Sequence, residues 1–340
     1  MITEEDLLAA GFKPAIPYVP TEPGEDSLTK AIRMHVERVK ANGGNIQNLP
    51  PLPSEPFDGT PVPGNPFHPV IQSMKPRRAV LTVEDVIKTY SAVSFGMRRH
   101  GTAMNAHLTF TWRMMGIRDH AAATRLFTAF NHEAAKWLAV GSMPAKVRRR
   151  VTKRAEAGGS EHMYVYVHEN ARSMGFHTHM LAFIPPAKAD LFKEWARGCL
   201  HRLNGYKGMH EDALHISVNT SRSEKQSAEW CWSRFRYLIK TLDPAWRVRD
   251  DEGNWVEGRE VFKPDRRFIE AGPVHCAQMA SGSHNIWTKA QASAGFVSRY
   301  RLPGELDRLY DGSELVERRK EIELAEDEAR LVDLSRTLNL

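Results

Sequence analysis

Two histidines separated by one residue form the pair whose type and spacing most favour metal chemistry in this sequence. His177 and His179 lie in residues 176–184 (FHTHMLAFI), a segment that predicts a β-strand ending at Pro185. Alternate residues of a strand point to the same face, so both imidazoles are expected to face the same way. Two imidazoles one pleat apart can chelate a divalent cation, although pairs of surface or core histidines share this spacing.

An acidic residue upstream provides a candidate third ligand. Glu169 follows a predicted strand at residues 162–168, and a hairpin through 170–175 would bring its carboxylate close to the two histidines. Two imidazoles and one carboxylate leave positions open on Mg²⁺ or Mn²⁺ for phosphate oxygens. His168 is the alternative third ligand. It points to the face opposite Glu169, so only one of the two can reach the metal, and we favour Glu169.

The pattern E-x7-HTHML-x-x-IP resembles the second motif of rolling-circle replication initiators, a branch of the HUH endonuclease superfamily. There a histidine–hydrophobe–histidine strand with an upstream acid binds the catalytic metal. The middle residue here is Thr178, which departs from the bulky hydrophobe of the family. Residues 107–112 (HLTFTW) resemble the first motif, and a buried strand explains them equally well. The resemblance implies a ferredoxin/RRM-like α+β fold.

Residues 232–244 (WSRFRYLIKTLDP) resemble the third motif, in which a helix presents the nucleophilic tyrosine. Tyr237 and Lys240 are three residues apart, which puts both on one face of a helix predicted for residues 224–242. A phenol is a poor nucleophile at neutral pH, and a nearby ammonium and a metal-bound phosphate would both favour attack by the phenolate. Taken alone, an aromatic residue on an amphipathic helix is more often part of the core. The resemblance implies that Tyr237 is the nucleophile and Lys240 its catalytic partner.

The order of the motifs separates branches of the superfamily. Relaxases carry the tyrosine before the histidine motif. Here it follows that motif, as in replication initiators and single-tyrosine transposases, so the order argues against a relaxase. Two tyrosines precede the histidines, but neither is a candidate nucleophile: Tyr18 lies in a proline-rich segment, and Tyr90 has no basic residue at i+3. Some initiators carry a second tyrosine on the same helix. Here positions 233 and 241, one turn away from Tyr237, are Ser and Thr, so a single-tyrosine mechanism is expected.

The elements that must position these residues follow from hydrophobic periodicity and capping signals. In order, they are a helix from Thr82 to about 99, a strand at 105–112, a helix capped by Asp119 and running to about 140, the two strands of the site, a helix near 189–203, a strand at 214–218 and the tyrosine helix. This α-β-α-β-β-α-β-α order predicts an α+β domain with a central antiparallel sheet and flanking helices.

Three regions are expected along the chain. Thirteen of the 20 prolines lie at or before Pro76, so residues 1–76 are predicted to form a proline-rich N-terminal arm. Residues 77–310 would form the nicking domain, and 311–340 a C-terminal amphipathic helix. The resemblance covers about residues 76–300. It includes 275–296, which is similar to the region after the tyrosine helix in some bacterial and phage initiators.

The balance of charge favours a polyanionic partner. The net charge is +6, and residues 146–154 (KVRRRVTKR) contain six basic side chains. Such a run is often a solvated helix face, and in a nickase it could follow a DNA backbone. The candidate DNA-binding residues are Lys146, Arg148, Arg149, Arg150, Lys153 and Arg154. Trp230, Trp232 and Trp246 could stack on unpaired bases or belong to the core.

Several classes are disfavoured. The three cysteines form no CxxC pair, which argues against a zinc ribbon or a disulfide framework and favours a reducing cytoplasm. The sequence shows neither an apolar run long enough for a membrane span nor a signal peptide, so a cytoplasmic protein without a membrane partner is expected. No Walker A pattern is present. A fused helicase is therefore not expected, and a host helicase is a possible partner.

Together these features predict nicking and joining of single-stranded or extruded origin DNA through a 5′-phosphotyrosyl intermediate, which would initiate rolling-circle replication of a plasmid or phage. A single-tyrosine transposase would use the same chemistry. A metal-dependent hydrolase and a non-catalytic DNA-binding protein are the alternatives from other classes. The oligomeric state is left open.

Overall fold

The computed structural model describes residues 78–140, 160–206, 208–221, 223–266, 268 and 271–337. The predicted arm and the basic stretch at 146–154 lie outside the described residues. Within those ranges, no helix combines the length and the apolar character that crossing a membrane requires.

A five-stranded antiparallel sheet forms the centre of the fold. Its strands are β1 (Ala106–Thr111), β2 (Tyr164–Ala171), β3 (Gly175–Ala182), β4 (Leu214–Val218) and β7 (Ala280–Gly282), in the spatial order β4-β1-β3-β2-β7. A separate hairpin pairs β5 (Arg247–Arg249) with β6 (Trp255–Glu257). The short edge strand β7 was not predicted. The predicted α+β class, an antiparallel sheet flanked by helices, is confirmed.

Seven α-helices occur in the described part of the chain. They are α1 (Val83–His100), α2 (His120–Val140), α3 (Ala189–Leu203), α4 (Glu224–Leu238), α5 (Gly258–Phe262), α6 (Thr288–Ser293) and α7 (Ser313–Thr337). The two predicted N-caps are present: Thr82 and Asp85 form a capping box, and the carboxylate of Asp119 accepts hydrogen bonds from the first turn of α2. Helix α7 packs against α1, where Glu321 forms an ion pair with Arg98.

The tyrosine helix is shorter than the predicted 224–242, because α4 ends at Leu238. The residues that follow form a parallel bridge with Leu81 instead of a further helical turn. The guanidinium of Arg259 donates to the backbone carbonyl of Lys240 at 2.9 Å, which satisfies a carbonyl beyond the helix end. Tertiary partners therefore end the helix, and Lys240 lies in the turn that follows.

The two faces of the sheet bury different kinds of residue. Phe110 of β1 packs against Phe127 and Phe130 of α2, with ring centroids 5.3 and 5.2 Å apart. The opposite face of the same strand carries His107, whose ring packs against Tyr237 of α4. One face of the sheet is thus an aromatic core, and the other is a polar layer beneath α4.

Buried histidines make the fold sensitive to acid. Burial lowers the pKa of His162 to about 3, and burial with a smaller effect of His120 lowers that of His168 to about 3. The unfolded chain has ordinary histidine pKa values near 6.5, so between pH 6.5 and 3 it binds more protons than the folded protein does. The neutral histidines therefore make their whole contribution to stability above about pH 6.5. The free energy of unfolding decreases as the pH falls from 6.5 to 3.

Below about pH 6.5, we expect each buried neutral histidine to lower the free energy of unfolding by about 1.4 kcal/mol for every unit by which the pH falls. Urea denaturation from pH 7 to 4.5 measures the slope. His162→Gln removes one titrating group while keeping a polar partner for Asn131, whose side chain contacts His162 at 2.9 Å. In this variant, the plot of the free energy of unfolding against pH should be less steep by about the contribution of one histidine. Equal slopes in the two proteins would show that His162 is not held neutral by burial.

Candidate metal centre and tyrosine site

The hairpin between β2 and β3 determines which side chains share a face. In the antiparallel register, Glu169 lies opposite His177, and Val167 lies opposite His179. The turn is tight because Gly175 adopts φ +68°, in the left-handed region that glycine favours. The carboxylate and both imidazoles consequently project from the same face, beneath α4.

The three side chains converge on one point. Nε2 of His177 lies 3.2 Å, and Nε2 of His179 lies 3.8 Å, from Oε2 of Glu169. All three side chains are buried, and their ligand atoms lie within 4.8 Å of one another. The group could therefore hold a metal ion, as the sequence predicts.

The hydrogen bonds of the two imidazoles fit a metal-binding role. Nδ1 of His177 donates to the carbonyl oxygen of Gly175 at 2.8 Å, and its Nε2 faces Oε2 of Glu169 at 3.2 Å. Nδ1 of His179 contacts Oγ1 of Thr109 at 3.0 Å, and its buried Nε2 has no hydrogen-bond partner among the described residues. Metal-ligating histidines are oriented in this way, with one ring nitrogen tied to the protein and the other facing the ion.

The alternative ligand His168 lies on the opposite face of the sheet. Its Nδ1 contacts Oγ1 of Thr178 at 2.7 Å, and the same hydroxyl accepts a hydrogen bond from Nε1 of Trp112 at 2.8 Å. The threonine between the two histidines thus has a structural role on the α2 side of the sheet. Glu169 joins the two histidines, and His168 does not.

Lys240 completes the charge balance of the site. Its Nζ lies 2.7 Å from Oε2 and 2.9 Å from Oε1 of Glu169. Burial alone would raise the pKa of Glu169, but Lys240 and the hydrogen bond with His177 outweigh it and the pKa is lowered. Burial, with Lys240 and His177 adding to it, holds the pKa of His179 well below its ordinary value. The site therefore combines an ionised carboxylate with a neutral imidazole, the forms that bind a cation.

Tyr237 covers this group from α4. Its ring packs edge-on against His179 with centroids 5.1 Å apart, and Nζ of Lys240 lies 4.1 Å from the ring centroid. The residue is partly exposed. The five residues predicted for the site, two of them far away in the sequence, are thus brought together.

Two further residues of the site were missed. His107 stacks on His179 with ring centroids 5.4 Å apart, and Thr109 orients the same imidazole. Burial, with Arg234 and Lys240 adding to it, lowers the pKa of His107 to about 3. The alternation in HLTFTW places both residues on one face, but only the pairing of β1 with β3 shows which face that is.

Other candidates have mixed outcomes. The six basic side chains of 146–154 and Tyr18 lie outside the described residues. Tyr90 is buried and donates a hydrogen bond to the carbonyl of Leu309, so it belongs to the core. Trp232 is buried against Tyr90, Trp230 is partly buried, and Trp246 is 43% exposed. Trp255, which the sequence did not single out, is 63% exposed.

Searches against protein-family models, curated proteins and solved structures find no match for this chain.

Proposed function

We propose that this protein is a metal-dependent, single-tyrosine DNA nickase of the HUH type that initiates rolling-circle replication. One observation carries the proposal: the ring of Tyr237 packs on His179, one of three residues that could hold a metal ion, and Lys240 contacts both Tyr237 and Glu169. A core tyrosine would account for the packing but not for a buried carboxylate, two oriented imidazoles and an ammonium around it. A nucleophile beside a cation site accounts for all of them.

The reaction is a transesterification at a phosphodiester of single-stranded or extruded origin DNA. The phenol oxygen of Tyr237 forms a bond to phosphorus as its proton leaves, and the bond from phosphorus to the 3′ oxygen breaks. That oxygen takes up a proton and becomes a free 3′-OH, while the 5′ end stays on the enzyme as a phosphotyrosyl ester. One phosphodiester replaces another, so the strand can be rejoined without ATP.

Each residue of the site has a distinct role in this reaction. Glu169, His177 and His179 would hold Mg²⁺ or Mn²⁺, which when bound polarises the scissile phosphate and offsets its developing charge. Thr109 and the carbonyl of Gly175 keep the imidazoles in the orientation that exposes Nε2. Nζ of Lys240 lies 4.1 Å from the centroid of the Tyr237 ring, and an ammonium there would offset the negative charge that develops on the scissile phosphate.

A surface beside the tyrosine helix suits an unpaired strand. The outer face of the β5–β6 hairpin carries Trp255 with the guanidinium of Arg249 4.8 Å from its ring centroid. The hairpin leads into Arg259, which bonds to the carbonyl of Lys240. An exposed indole under an arginine is a stacking platform for a base.

Trp255→Ala is expected to weaken binding of a labelled single-stranded oligonucleotide about 5- to 100-fold, the loss of one base stack. Fluorescence anisotropy at fixed ionic strength measures it. Leu191→Ala, which removes an apolar side chain that is 48% exposed on α3, is the control and should bind as the wild type does. An unchanged affinity of Trp255→Ala for the oligonucleotide would show that Trp255 does not stack on a base of the bound DNA.

The proposal is tested with labelled single-stranded DNA from the protein's own replicon, incubated with Mn²⁺ or EDTA and run on a denaturing gel. A covalent protein–DNA adduct that requires Mn²⁺ supports the nickase. Cleavage without an adduct would instead indicate a hydrolase. Binding with neither cleavage nor adduct would indicate a non-catalytic DNA-binding protein. Adduct formation at the ends of a mobile element, but not at a replication origin, would indicate a transposase.

A further inference from the structure

Lys240 and a metal ion would use the same carboxylate oxygen. Oε2 of Glu169 is the oxygen nearest both ligand imidazoles, at 3.2 Å from Nε2 of His177 and 3.8 Å from Nε2 of His179. Nζ of Lys240 lies 2.7 Å from that same oxygen. A divalent cation held by the three ligands would therefore meet the ammonium at Oε2.

The ion pair between Lys240 and Glu169 is largely removed from water. The side chain of Lys240 is 15% exposed and that of Glu169 is 2% exposed. Leaving a buried carboxylate without a counter-charge is strongly unfavourable, so in the metal-free protein the ammonium has a structural role. Once a divalent cation supplies that charge, two positive groups would share one oxygen and repel each other.

We propose that Lys240 is the built-in counter-ion of the metal-free site and that metal binding displaces it from Glu169 toward the phenol of Tyr237. The inference rests on the proposed function, because it assumes a metal at the three ligands and a nucleophile beside them. Nζ already lies 4.1 Å from the Tyr237 ring centroid, so release leaves the ammonium next to the nucleophile. Lys240 would thus assist Tyr237 only when the metal is present.

The first test measures Mn²⁺ binding by calorimetry without DNA. Lys240→Met removes the competitor, and Mn²⁺ should bind about tenfold more tightly or better than to the wild type. Lys225→Met removes the same charge from an exposed position on α4, so its affinity should match the wild type. If Lys240→Met does not fold in EDTA, Lys240→Gln is compared in its place. Equal or weaker binding than the wild type, or no binding to either protein, would overturn the proposal.

The second test follows the lysine itself. Acetic anhydride labelling, quantified by mass spectrometry, should modify Lys240 slowly in EDTA and several-fold faster at saturating Mn²⁺, with Lys225 as the internal reference. Unchanged labelling of Lys240 while Mn²⁺ is bound would overturn the displacement. Neither measurement involves DNA. A protein that passes both tests but forms no adduct would refute the nickase and, with it, the catalytic role of Lys240, and would leave only its displacement from Glu169 by the metal.

Discussion

Tyr237→Phe is expected to abolish covalent attachment to DNA, with a loss of about a thousandfold or more, as for other enzymes that lose their nucleophile. Phenylalanine keeps the ring that packs on His179 and His107 and removes only the oxygen that would bond to phosphorus. The fold and the metal affinity should therefore be preserved. Single-turnover assays with Mn²⁺ and labelled origin DNA measure the rate of adduct formation.

Tyr90→Phe is the matched control, since it also removes one phenol oxygen. That hydroxyl bonds to the carbonyl of Leu309 in the core, so the variant should lose some stability but still form the adduct. Circular dichroism and thermal melting establish that both variants are folded. Adduct formation by Tyr237→Phe at the wild-type rate would place the nucleophile elsewhere.

Replacing a ligand of the cation site should have the second-largest effect. His179→Ala removes one of three protein ligands, so the Mn²⁺ affinity should fall by more than the roughly 10- to 100-fold that loss of an outer-shell partner costs. Thr109→Val removes such a partner, because its hydroxyl contacts Nδ1 of His179, and should fall within that smaller range. Calorimetry with Mn²⁺ gives both values.

His168→Gln provides the control from the same hairpin. His168 is buried on the opposite face of the sheet, where it contacts Thr178, so the Mn²⁺ affinity of the variant should stay close to that of the wild type. A loss in His168→Gln as large as in His179→Ala would contradict the assignment of Glu169 as the third ligand. It would also mean that the β2–β3 register differs from the one described.

The core of the site was predictable because it depends on local rules. Strand alternation alone puts His177 and His179 on one face, and a hairpin of the predicted length brings Glu169 opposite His177. The same alternation predicts that only one of Glu169 and His168 joins the two histidines, and the register of the hairpin selects Glu169. These relations involve neighbouring strands and a short turn, so they need no knowledge of the remaining chain.

Relations across the fold were not predictable. The end of α4 is determined by a bridge to Leu81 and by Arg259, partners that no local pattern reveals. His107 becomes part of the site only because β1 lies between β3 and β4. The three-residue strand β7 is too short for a periodic signal and exists because β2 offers it an edge. Such features arise from tertiary packing, which overrides local preference.

The most direct test of the central claim identifies the residue that carries the DNA. The adduct is formed with Mn²⁺, trimmed with nuclease and digested with trypsin, which cleaves after Arg236 and Lys240 and releases the peptide YLIK. The nickase proposal predicts that mass spectrometry finds the nucleotide on the tyrosine of this peptide. A nucleotide on another residue, or no nucleotide-bearing peptide under conditions that cleave the DNA, would contradict it.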